Sequence, residues 1–127
     1  MRKSILVLFL LMAACSSSVS AGIQSVEAVE AHALVSEAGT VVLDIRTPEE
    51  FADGRVEGAL NIDFYAADFA DRIAALDRNA TYVVYCRSDS RSGQAMDLFR
   101  DLGFAAVHEI DGGILSWIQA GLPVVGG

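Results

Sequence analysis

Thr81-Tyr82-Val83-Val84-Tyr85-Cys86-Arg87-Ser88-Asp89-Ser90-Arg91-Ser92 is the stretch that decides the fold. Its opening run is β-branched and aromatic throughout, the pattern of a short strand buried in a sheet. Cys86 closes that run, and short polar residues and two arginines follow it. Ala95, Leu98, Phe99 and Leu102 then recur at helical spacing until Gly103 stops them. A strand, a tight polar loop and a helix start place a thiol beside backbone N–H groups and cations. Such surroundings favour the thiolate, the nucleophilic form.

Outward from this stretch, strand and helix signals alternate. Toward the N-terminus, Ser25 is expected to cap a helix with Val26, Val29, Ala33 and Leu34 on one face, ending near Gly39. Val41-Val42-Leu43-Asp44-Ile45 reads as a strand buried on both faces. Thr47-Pro48-Glu49-Glu50 supplies a capping threonine, a proline for the first helical position and a glutamate that can reach back. Gly54 and Gly58 break the chain before a weaker strand, Ala59-Leu60-Asn61-Ile62, and Phe69, Ile73 and Leu76 mark another helix face. Toward the C-terminus, Ala105-Ala106-Val107-His108-Glu109-Ile110 is the last strand. Asp111-Gly112-Gly113 then turns into a helix carrying Ile114, Leu115, Trp117 and Ile118, closed by Gly121 and Pro123. This alternation predicts an α/β fold with a parallel sheet covered by helices on both faces. Ligands bind such sheets at the carboxyl ends of strands, where Cys86 lies.

Three motifs now carry a family resemblance that spans nearly all of residues 22–127. Leu43 to Phe51 followed by Gly54 to Ile62 resembles the first signature of the rhodanese family. The loop from Cys86 to Ser92 resembles its active-site loop, and Gly112-Gly113 with Trp117 resembles its closing helix. The resemblance implies a rhodanese-like five-stranded parallel sheet and a sulfurtransferase site. Cys86 would be the catalytic nucleophile, with Arg87, Ser88, Asp89, Ser90 and Arg91 binding the donor. Six residues run from Cys86 to Arg91, counting both ends. That length matches the family's sulfur-transferring members; its phosphatase and arsenate-reductase relatives have one residue more.

The implied chemistry is double displacement. The Cys86 thiolate takes the outer sulfur of thiosulfate or a similar donor, and the resulting persulfide yields it to cyanide or a thiol. Arg87 and Arg91 are the cations expected to draw a dianionic donor into the loop. Asp89 departs from the family, which often carries glycine there, and its carboxylate should oppose both the thiolate and anionic donors. Arg55 stands where the family usually has histidine, in a turn-closing position that tolerates the change.

Other polar residues have plainer roles. Asp44 and Arg46 are expected to form a structural ion pair, His32 and His108 to serve core or surface, Trp117 to pack, and Glu49, Glu50 and Asp53 to form a solvated helix face. No metal or cofactor is expected.

The first residues read as an export leader. Arg2 and Lys3 precede the ten-residue apolar stretch Ile5 to Ala14, too short for a bilayer span of roughly 20 residues. Two processing routes fit: a lipoprotein signal, residues 1–14, ending before a lipidated Cys15, or a cleaved signal, residues 1–21, ending at Val19-Ser20-Ala21. Residues 22–127 form the domain in both cases. Either route places the protein in the periplasm or cell envelope and leaves Cys86 without an intramolecular disulfide partner.

The formal charge is −8, and without Arg2 and Lys3 seven basic residues face seventeen acidic ones for −10. Nucleic acid is therefore excluded as a partner, and a membrane is reached only through an anchor at Cys15. A monomer acting on small sulfur donors and acceptors is expected. The alternative is a non-catalytic module of the cell envelope that binds sulfur or a partner through the same loop.

Overall fold

The computed structural model describes residues 22–127, so the leader and Cys15 lie outside the described residues. The elements are β1 (Gly22–Val26), α1 (Ala28–Val35), β2 (Thr40–Asp44), α2 (Pro48–Asp53), β3 (Leu60–Asn61), α3 (Phe69–Ala74), β4 (Thr81–Tyr85), α4 (Ser90–Asp101), β5 (Ala106–Ile110) and α5 (Gly113–Gln119). The strands form one five-stranded sheet in the order β1-β5-β4-β2-β3, parallel throughout.

Successive side chains of β4 alternate between two cores. Tyr82, Val84 and Cys86 join Leu43, Ile45, Ile73, Phe99 and Val107, whereas Val83 and Tyr85 join Ala31, Val42, Ile110 and Trp117. Alternation across a strand means that a run apolar at every position serves both faces, as the sequence of β4 predicts. Helices α3 and α4 cover the first face and α1 and α5 the second. The adjacent strands β4 and β5 therefore pass the chain to helices on opposite faces. A crevice opens at their carboxyl ends, the place where parallel sheets bind ligands.

The N-terminal element differs from expectation. Ser25 does not cap a helix: it lies inside β1, in register with Glu109 of β5. Pairing with β5 makes the segment an edge strand, and α1 starts only at Ala28, with Glu27 as an N-cap that makes no side-chain bond. The later start resets the helical phase. Ala28 and Ala31 face inward, while Val29, expected on the buried face, is 64% exposed and Ala33 is exposed.

The start of α2 follows its sequence closely. Glu50 N–H donates to Thr47 Oγ1 at 3.3 Å and Thr47 N–H donates to Glu50 Oε1 at 3.3 Å, a complete capping box behind Pro48. Asp44 and Arg46 form the structural pair expected of them. Arg46 Nη2 lies 2.6 Å from Asp44 Oδ2 and also donates to the Gly54 carbonyl at 2.6 Å, fastening β2 to the end of α2. Arg55 stacks over the Phe51 ring at 4.7 Å and bridges Val125, so the position that closes the turn also holds the C-terminal segment. Trp117 packs against His32 with ring centroids 5.4 Å apart, and its indole N–H donates to Pro123 O at 2.8 Å. His108 is buried in β5.

Candidate active site

The loop after β4 is clamped from outside by the start of α5. Ile114 N–H donates to Cys86 O at 3.0 Å and Leu115 N–H donates to Arg87 O at 3.2 Å. The two loop carbonyls are thus occupied away from the sulfur. So close an approach requires glycine at 113: φ is +61°, and a Cβ would stand 2.5–2.6 Å from the carbonyl oxygens of Cys86, Arg87 and Ser88. Asp89 completes the clamp, its Oδ1 accepting from Gly112 N–H at 2.7 Å. The carboxylate expected to oppose the thiolate is engaged by α5.

Cys86 is 1% exposed, whereas Arg87, Asp89 and Ser90 of the same loop are exposed and Ser88 is half-buried. Asp89 is the N-cap residue of α4 but makes no side-chain capping bond. The sulfur takes that place: Ser92 N–H donates to Cys86 Sγ at 3.5 Å, as a side-chain acceptor does at a helix start. An N-terminal amide and the helix dipole favour negative charge on that atom. The Ser92 hydroxyl is also in contact, with Oγ 3.3 Å from Sγ. On its other side Ser92 Oγ lies 2.6 Å from Oε1 of Glu109, a buried residue of β5. Burial pushes the Glu109 carboxyl above its ordinary range. The Ser92 hydrogen bond opposes that shift, and the negative charges of Asp89 and Asp111 add to it.

Ser92 and Glu109 are the site residues that sequence reasoning missed. Ser92 closes the loop that carries the resemblance, where it had no assigned role, and has the third amide of the helix, the one a capping group engages. Glu109 was marked by a carboxylate set among apolar residues near the carboxyl end of a strand.

The two arginines have different situations. Arg91 is buried and pairs with Glu50, Nη1 to Oε1 at 2.7 Å and Nη2 to Oε2 at 3.0 Å, with its guanidinium 5.6 Å from the Tyr65 ring. This corrects the expectation for Glu50. It is not part of a solvated face, because the Arg91 guanidinium and the Thr47 cap hold it, and its carboxyl is lowered to about 2. Arg87 is exposed and lines a cavity of about 280 Å³ with Arg46, Glu50, Asp53, Leu115 and Ile118. Leu115 and Ile118, expected simply as helix-face residues, are 43% and 52% exposed on that cavity's wall.

A family model of the rhodanese-like domain matches residues 27–120. The chain belongs to the rhodanese family. Among curated relatives it is 35% identical over 85 residues to a sulfurtransferase of Allochromatium vinosum, covering 67% of this chain and 78% of that protein. It is 41% identical over 81 residues to the thiosulfate sulfurtransferase GlpE of Pseudomonas aeruginosa, covering 64% and 72% respectively. Among solved structures, the rhodanese-related protein of Thermoplasma volcanium superposes with a TM-score of 0.71 at 30% identity, covering 80% of this chain and 97% of that one.

Proposed function

We propose that this rhodanese domain is a sulfurtransferase that carries sulfane sulfur on Cys86. The observation that supports it best is the sulfur's position at the carboxyl end of β4, capping α4 through the Ser92 amide while α5 draws the Cys86 and Arg87 carbonyls away. The Cys86 thiolate attacks the outer sulfur of thiosulfate. A new S–S bond forms to Cys86, the S–S bond of the donor breaks, and sulfite leaves with that bonding pair. The persulfide left on the enzyme is an anion at the same helix start, where the Ser92 amide stabilises it. Cyanide or a thiolate then takes the outer sulfur as thiocyanate or a new persulfide, and the Cys86 thiolate returns. Exposed Arg87 is the cation that meets the dianionic donor.

The leader sequence supports work outside the cytoplasm, in the periplasm or cell envelope, by a monomer either released or held through a lipid on Cys15. The six-residue loop favours sulfur over a phosphate or arsenate oxyanion.

Steady-state conversion of thiosulfate and cyanide to thiocyanate tests this function. Turnover that disappears in Cys86→Ser is expected, and absence of turnover in the wild-type protein would overturn it. The almost complete enclosure of Cys86 favours one second reading, a module that accepts sulfur without passing it on. It predicts sulfur uptake on Cys86 with no thiocyanate formed.

A further inference from the structure

Ser92 stands between two groups that compete for one hydroxyl proton. Its Oγ is 3.3 Å from Cys86 Sγ and 2.6 Å from Glu109 Oε1, with the Asp89 carbonyl at 3.5 Å. When Cys86 is a neutral thiol and Glu109 a carboxylate, the S–H donates to Ser92 Oγ and the Ser92 O–H donates to Glu109. A thiolate cannot donate, and the Ser92 hydroxyl, 3.3 Å away, can turn to donate to it beside the Ser92 amide. Glu109 would then lose its donor while 8% exposed, an unfavourable state for a buried carboxylate. It keeps the contact only by carrying a proton and donating to Ser92 Oγ. The two arrangements contain the same protons, each moved one place along the line from Cys86 through Ser92 to Glu109.

We propose that Glu109 is a positioning residue that takes up the Cys86 proton through Ser92 when the sulfur ionises, and returns it when the thiol re-forms. This deepens the proposed function, because it supplies the thiolate on which sulfur transfer rests. The S–H bond breaks, Ser92 accepts that proton while giving its own to Glu109 Oε1, and no oxidant or outside base takes part. The surroundings favour a protonated Glu109. Asp89 from the loop and Asp111 from the turn into α5 are the charges bearing on it, both negative, and no ion pair to it forms among the described residues. Its register neighbours, Ser25 of β1 and Val84 of β4, carry no charge. On the sulfur side, Arg91 is the cation whose charge reaches Cys86.

Titration of thiolate ultraviolet absorbance in the full chain tests this without requiring a reagent to reach the buried sulfur, with Cys86→Ser as the blank. Gln is a neutral stand-in for the protonated Glu109 carboxyl, so with Glu109 protonated beside the thiolate Glu109→Gln should leave the midpoint where wild type has it. Were Glu109 a carboxylate beside the thiolate, removing its charge would lower the midpoint. Ser92→Ala, which removes the hydroxyl that donates to the thiolate, should raise it. A midpoint that falls in Glu109→Gln overturns the proposal.

Infrared spectroscopy reads the same proton in the folded wild-type protein should a variant fail to fold. A carboxylic-acid C=O band above the thiol midpoint, lost in Cys86→Ser, is expected. Absence of the band, or its persistence in Cys86→Ser, overturns the proposal. Sulfur uptake measured on the same samples keeps the two ideas apart, since the proton shift stands or falls whether or not thiosulfate is a donor.

Discussion

Arg91 reaches back across the site to Glu50 in a two-pronged pair, Nη1 to Oε1 at 2.7 Å and Nη2 to Oε2 at 3.0 Å, joining the first turn of α4 to α2. A guanidinium answered by a carboxylate braces the loop. Arg87, exposed on the cavity wall, has no such carboxylate pair among the described residues. The two arginines that look alike in the sequence thus stand differently, one paired with Glu50 and one exposed on the cavity wall.

Arg87→Ala is expected to raise the KM for thiosulfate about fivefold to tenfold at low salt, with the difference shrinking as salt is added and no change in Tm. Arg91→Ala is expected to lower stability by about 1–2 kcal/mol, because it strands the partly buried Glu50 carboxylate. Initial rates beside thermal melts separate the two, and the reverse pattern would assign the donor to Arg91.

The same pair sets a pH dependence. Glu50 has its folded carboxyl at about 2 against an ordinary 4.5, so the folded state binds this proton less readily than the unfolded chain. Stability from the pair is full above the unfolded value and is lost as pH falls from about 5 to about 2. The Tm difference between wild type and Glu50→Gln, equivalent to about 1 kcal/mol at neutral pH after solvent screening, should close over that window. A gap that stays constant there would show that Arg91 does not hold the carboxylate.

Gly113→Ala should be among the most damaging single changes. Its Cβ would meet three carbonyl oxygens at 2.5–2.6 Å in a backbone conformation that disfavours side chains. About 2–4 kcal/mol of lost stability is expected, with loss of sulfur transfer because the Cys86 loop must move. Urea unfolding and thiocyanate formation measure both, and a variant within about 0.5 kcal/mol of wild type would contradict the close approach.

Asp89 carries two roles that one substitution separates. Asp89→Asn keeps an acceptor for the Gly112 N–H while removing the negative charge beside the donor path, and kcat/KM for thiosulfate should rise several-fold. Asp89→Gly removes the acceptor as well and should also lower Tm. An unchanged thiosulfate rate in both variants would dismiss any electrostatic effect of this residue.

What the sequence disclosed was local. The run Thr81–Tyr85, the thiol at its end and the capping box of Thr47 and Glu50 each express their structure within a few neighbouring residues. β1 was hidden because Gln24 and Ser25 interrupt its apolar pattern, and only pairing with distant β5 makes it a strand. The pairs Arg91–Glu50 and Ser92–Glu109 join residues 41 and 17 positions apart, so their partners become visible only when the strands close into a sheet. That is also why Glu50 reads as a solvated glutamate until α4 is laid against α2.

Mass spectrometry of the reduced protein after incubation with thiosulfate, with the added mass mapped to a peptide, tests sulfur carriage by Cys86 most directly. One sulfur atom on the Cys86 peptide, absent from Cys86→Ser and discharged by cyanide, is the predicted result. An unmodified Cys86 in a folded protein that has been given ample thiosulfate would contradict it.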